Sequence, residues 1–125
     1  MMALTTTEAR ELIRGACIDG VDGVYSLNLP KELIDAVDKT IILIRDTFTK
    51  PSIHGNDDFY GLDREIEVQV FYAAHPVIEP EYLDVELYKL FQHHGWQVTE
   101  NRGHTMDPDT MQLTSTFYVQ QTKNL

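Results

Sequence analysis

The stretch that decides the fold is Arg64-Glu65-Ile66-Glu67-Val68-Gln69-Val70-Phe71-Tyr72. Ile66, Val68, Val70 and Tyr72 fall on one face of a strand, and Glu65, Glu67, Gln69 and Phe71 on the other. Such alternation predicts a half-exposed antiparallel strand, with one face on a core and one in water. Upstream, Thr40-Ile41-Ile42-Leu43-Ile44-Arg45 is β-branched and almost wholly apolar, which predicts an interior strand covered on both faces. The two are natural neighbours in a sheet.

Helices are expected on either side of this pair. Ala9, Leu12, Ile13, Ala16 and Cys17 recur at helical spacing over residues 5–18, and Thr5 and Glu8 have the spacing of a capping box. On that stripe Cys17 reads as a small buried hydrophobe and not as a reactive thiol. Residues 80–94 carry a second stripe, Leu83, Leu87, Leu90 and Phe91, stopped by Gly95. Trp96 to Asn101 alternates as a strand. Gly103 to Thr110 reads as a turn region around Asp107-Pro108-Asp109, and a last strand runs from about Met111 to Gln121 before a frayed end at Lys123-Asn124-Leu125. Residues 21–39 admit two readings. One is a short helix with Pro30 in its first turn, burying Leu33, Ile34 and Val37; the other is an irregular crossover pinning Leu29 and Leu33 against the first helix.

The expected architecture is α+β, a single domain over residues 1–125, with two helices on one face of a mainly antiparallel sheet of four strands or slightly more. Leu12, Ile13, Ile42, Ile44, Val68, Val70, Leu87, Leu90, Phe91, Phe117 and Val119 are the expected core. Between the two central strands, Phe48 to Asp63 shows no periodicity and contains Pro51, Gly55, Asn56, Asp57, Asp58 and Gly61. It reads as a long loop, and long loops in compact domains are usually functional or mobile. Within it Asp57, Asp58, Phe59 and Tyr60 are the candidate assembly interface, because aromatic side chains concentrate at interface centres.

Composition narrows the function classes. Ten Lys and Arg against twenty Asp and Glu leave a net charge of −10, which opposes a general grip on nucleic acid or on anionic membranes. One cysteine excludes an internal disulfide and makes a thiolate zinc site improbable. The chain starts without a basic-then-apolar leader, so no secretory signal is expected. His93 and His94 diverge on a helix end and read as dipole-stabilised residues. His104, Asp107 and Asp109 form the best-looking ligand cluster, but Asp-Pro-Asp is ordinary turn chemistry and a fourth ligand is missing. No nucleophile elbow or phosphate loop is present. The expectation is a non-enzyme with no cofactor, no metal and no catalytic residues.

The order of Ile41-Ile42-Leu43-Ile44-Arg45-Asp46, the Gly55-Asn56 segment, Val68-Gln69-Val70-Phe71-Tyr72, Trp96, Asp107-Pro108-Asp109-Thr110-Met111-Gln112-Leu113 and Thr116-Phe117-Tyr118-Val119 resembles a family of small tail-component proteins of siphophages and prophages. The Asp-Pro-Asp-Thr turn leading into the last strand also resembles the wider tail terminator group. The resemblance covers nearly the whole chain. It implies a virion tail protein, made in the bacterial host cytoplasm, that forms a hexameric ring. That ring would cap the tail tube, with the major tail tube protein and head connector proteins as partners. Another head–tail connector or tail completion protein is the alternative, and a small metal-binding or enzymatic domain using His104, Asp107 and Asp109 is a third reading.

Overall fold

A computed structural model describes residues 4–33, 37–108 and 111–125. The fold is α+β: α1 (Thr5–Ala16), β1 (Gly23–Ser26), a 3₁₀ turn (Lys31–Leu33), β2 (Ile41–Gly55), β3 (Asp58–Phe71), α2 (Pro80–His93), β4 (Gln97–Met106) and β5 (Leu113–Asn124). The strands form one sheet in the order β1-β2-β3-β5-β4. Where four strands or slightly more are expected, the sheet has five, and it is mixed, with three antiparallel pairings and one parallel. The extra strand, β1, runs parallel to β2 and comes from residues 21–39, where Val24 faces Ile42 across the ladder. Its four residues are too few to show a period in the sequence. Of that segment the described residues show a 3₁₀ turn at Lys31–Leu33, directly after Pro30, with Leu29 and Leu33 half-buried. Ile34 lies outside the described residues.

Both helices pack on one face of the sheet. Ala9 and Ile13 of α1 and Leu83, Leu87 and Phe91 of α2 meet Ile42, Ile44, Ile66, Val68, Val70, Phe117 and Val119 in one buried cluster. Register puts these side chains in rows: Ile44 opposes Val68, which opposes Phe117, and Ile66 opposes Val119. Leu12 and Leu90 pack against the cluster only half-buried, at the edges of their stripes. Gly95 ends α2 with φ +84°, and the Trp96 N–H donates back to the Phe91 carbonyl at 2.9 Å. At the same helix end the His94 ring Nδ1 donates to the Leu90 carbonyl at 2.8 Å.

Four local expectations are corrected. The capping box does not form: Leu4 is the N-cap, Thr5 is already inside the helix and buried, and no side chain caps the end. Glu8 turns instead to cations on the sheet. Cys17 is exposed, because the helix ends at Ala16 and Cys17 takes a left-handed conformation that leaves the apolar stripe. Gly103 to Met106 continue β4 and are not turn, and beyond them the Met111 N–H donates to the Asp107 carbonyl. Lys123-Asn124-Leu125 is not frayed, since β5 stays paired to Asn124 and the Leu125 N–H donates to the Tyr60 carbonyl at 2.9 Å.

Candidate functional site

The largest departure from expectation is the segment Phe48 to Asp63. It is not a loop. β2 and β3 continue through it as one antiparallel hairpin, paired from Ile41↔Phe71 out to Gly55↔Asp58. The reversal takes two residues, Asn56 and Asp57, with φ of +50° and +60°. Positive φ at both central positions is the tight hairpin turn whose twist matches that of the flanking strands, and Asn and Asp tolerate it best after glycine. β2 runs eleven residues past its last buried position, Ile44, an arm reaching roughly 36 Å at ~3.3 Å per residue.

Side chains on the arm follow strand alternation. Tyr60 shares the helix-bearing face with Leu62 and Arg64, and Phe59 shares the opposite face with Asp63 and Glu65, so the two candidate aromatics point to opposite sides. Phe59 is 37% exposed, Tyr60 47%, Ile53 50% and the adjoining Leu125 58%. Asp57 occupies the turn, and Asp58 follows it, its carboxylate accepting the Phe59 N–H at 2.8 Å. The four sequence-predicted residues thus sit at the tip of a paired two-stranded ladder, and not on a loop. Gly61 is closely covered: a Cβ there would lie 2.7 Å from Ile53 Cδ1 and 2.9 Å from Ser52 Oγ, so those side chains would have to move aside. Ile53 itself has φ +56°, an uncommon conformation for a β-branched residue, held where its side chain covers Gly61.

The outer edge of β2 is blunted against strand addition. Thr47 is bulged out between Asp46 and Phe48, Pro51 lacks an N–H, and Ile53 breaks the extended conformation. β4, the opposite edge of the sheet, carries two register shifts of its own. What the arm offers a partner is therefore side chains, and not a flat row of backbone groups.

A charged cluster closes the arm's root, and sequence reasoning missed it. Arg64, 2% exposed, occupies a core-facing position of β3 and hydrogen-bonds Glu8 of α1 and Gln121 of β5. Lys123 Nζ donates to the other Glu8 oxygen at 2.9 Å, and the Arg64 guanidinium stands 5.9 Å from the Trp96 ring. Partial burial works against ionisation of Glu8, but the hydrogen bonds from Lys123 and Arg64 outweigh it and hold its carboxyl below the ordinary 4.5. A lowered folded value means stability that is complete above the ordinary value and lost as pH falls through the folded one. Thermal melts should therefore decline more steeply below about pH 4.5 in the native chain than in Glu8→Gln. Parallel acid limbs for the two proteins would show that Glu8 carries no such linkage.

His104 reaches α2. Its Nε2 lies 2.6 Å from Asp84 Oδ2 on α2, while Tyr72 and Ser115 both donate to Asp84 Oδ1. Burial, and then the adjacent Asp84 carboxylate, pushes the Tyr72 phenol up. This network satisfies a buried carboxylate and ties α2 to β3, β4 and β5. Asp109 lies outside the described residues. Among the described residues no group of three or more His, Cys, Asp or Glu could hold a metal ion. No helix among them is long and apolar enough to cross a membrane.

The helix-free face of the sheet is a field of carboxylates, each accepting from a hydroxyl. Asp63 accepts from Thr122 at 2.7 Å, Glu65 from Thr99 at 3.0 Å and Glu67 from Tyr118 at 2.7 Å. No curated protein matches the chain. The family described as a protein of unknown function, DUF806, matches residues 4–124, a span that takes in both helices, all five strands and the arm, and the chain belongs to that family.

Proposed function

We propose that this protein is a phage tail component of the tail terminator type, a ring-forming structural protein and not an enzyme. Its α+β fold is read as tail-terminator-like, and the ring as a hexamer that caps the tail tube and meets the head connector. The observation that carries the reading is the arm. A small domain with a well-closed core projects a paired hairpin that holds Ile53, Phe59 and Tyr60 in water. Exposed apolar and aromatic groups on such a projection gain stability only when another surface covers them. A projection that docks on a different surface of the next copy is a heterologous contact, the kind that closes into rings. Sequence resemblance supplies the tail assignment. The net charge of −10 and the carboxylate-bearing sheet face suit a lumen through which a polyanion slides without being held.

The reading is tested by electron microscopy of particles made without this protein and with it restored. Overlong or headless tails in its absence, and normal tails carrying a ring of it at the head-proximal end on restoration, are the expected results. Tails of normal length joined to heads in its absence would overturn the assignment.

A further inference from the structure

The arm is three strands wide at its root, and the third strand is the last part of β5. Beyond Ile66↔Val119, residues 120–124 of β5 run along β3 from Glu65 to Gly61, and Leu125 reaches the Tyr60 carbonyl. This segment lies outside the apolar cluster, so hydrophobic packing does not hold it down. Its side-chain anchors are Gln121 to Arg64 and Lys123 to Glu8, together with Thr122 to Asp63. Glu8 belongs to the first turn of α1, and α1 is packed firmly on the sheet through Ala9 and Ile13.

We infer that the Glu8–Arg64–Lys123 cluster is a latch that positions the arm for assembly, with Glu8 clamping the chain's C-terminal strand against β3 so that the aromatic tip is held at a fixed angle to the body. The inference rests on the assembly role proposed for the arm and assigns it positioning residues. The physical argument is preorganisation. A flexible arm must lose its conformational freedom on docking, whereas one stiffened by a third strand has lost it already. The clamp is suited to that task because one carboxylate bridges two cations from different strands, with Arg64 almost wholly shielded from water, where ion pairs are screened least.

Lys123→Met is the test, because it removes the Glu8 anchor of this segment while leaving the buried Arg64–Glu8 pair intact. Glu8→Gln is the companion variant, and Lys123→Arg the conservative rescue. Amide hydrogen exchange across residues 60–64 and 121–125 should speed up on the order of ten-fold in Lys123→Met, with protection of Ile42, Val68 and Val70 unchanged. Tail capping in a complementation assay should fall with it, and Lys123→Arg should restore both. Unchanged exchange in both Lys123→Met and Glu8→Gln would overturn the latch. Faster exchange with normal capping would overturn its positioning role. The arm's own part in assembly is judged separately, by variants of Phe59 and Tyr60 that leave the latch untouched.

Discussion

Phe91→Ala should cost about 3–5 kcal/mol of folding stability. Phe91 is fully buried at the C-terminal end of α2. It meets two other rings edge-on, Trp96 at a centroid distance of 5.7 Å and Phe117 at 6.3 Å. Truncation removes the transfer energy of the ring and leaves a cavity that three elements border: α2, the start of β4 and β5. Their backbones are fixed by the helix-ending Gly95 and by the β4–β5 ladder, so the cavity cannot collapse freely. Edge-to-face pairs add roughly 0.5–1.5 kcal/mol beyond area burial, which places the loss toward the upper end of the range. A domain with ~5–15 kcal/mol of stability has little left after that. Urea denaturation should show a lowered midpoint with an unchanged slope, and the melting temperature should drop by roughly 10–20 °C. A loss below about 1 kcal/mol would mean that Phe91 is not the junction of helix and sheet described here.

The same burial explains which parts of the molecule could be read from its sequence. Residues 64–72 and 113–119 show clean alternation because helices cover one side of the sheet there, and Leu83, Leu87 and Phe91 show helical spacing because one side of α2 is in the core. Periodicity records a contrast between a dry face and a wet one. On the arm both faces are wet, so residues 48–60 carry no contrast, and their Pro and Gly residues look like loop punctuation. The remaining clue was local: Asn56-Asp57 stands midway between two strong strands, and both residues tolerate left-handed backbone. Asp57, Asp58, Phe59 and Tyr60 could be singled out as a candidate site because residue type alone marks them. Arg64 could not, since a cation at a core-facing strand position looks like an error until Glu8, 56 residues away, is placed beside it. Asp84 is hidden for the same reason, its partners Tyr72, His104 and Ser115 being brought together only by the sheet order.

The double variant Phe59→Ala, Tyr60→Ala should fold normally and fail to cap tails. Both side chains lie beyond the apolar cluster, at 37% and 47% exposure, and on opposite faces of the arm, so their removal opens no cavity. Surface changes of this kind usually move stability by no more than about 0.5 kcal/mol. The turn survives, because it depends on the backbone of Asn56 and Asp57, and so does the ladder, which depends on pairing at His54↔Phe59 and Gly55↔Asp58. Docking is affected differently. An aromatic anchor at an interface centre typically costs 2 kcal/mol or more on truncation, about thirty-fold in association, and a ring multiplies the defect over every contact it closes. Because the aromatics face opposite ways, each single variant reports on one side of the arm. A defect confined to Tyr60→Ala would place the partner on the helix-bearing side, with Leu62 and Leu125. One confined to Phe59→Ala would place it on the carboxylate side. Circular dichroism checks the fold, and electron microscopy of tails checks the cap. Tails of normal length bearing the double variant would remove the arm from assembly, and an unfolded variant would show that the two rings are part of the core after all.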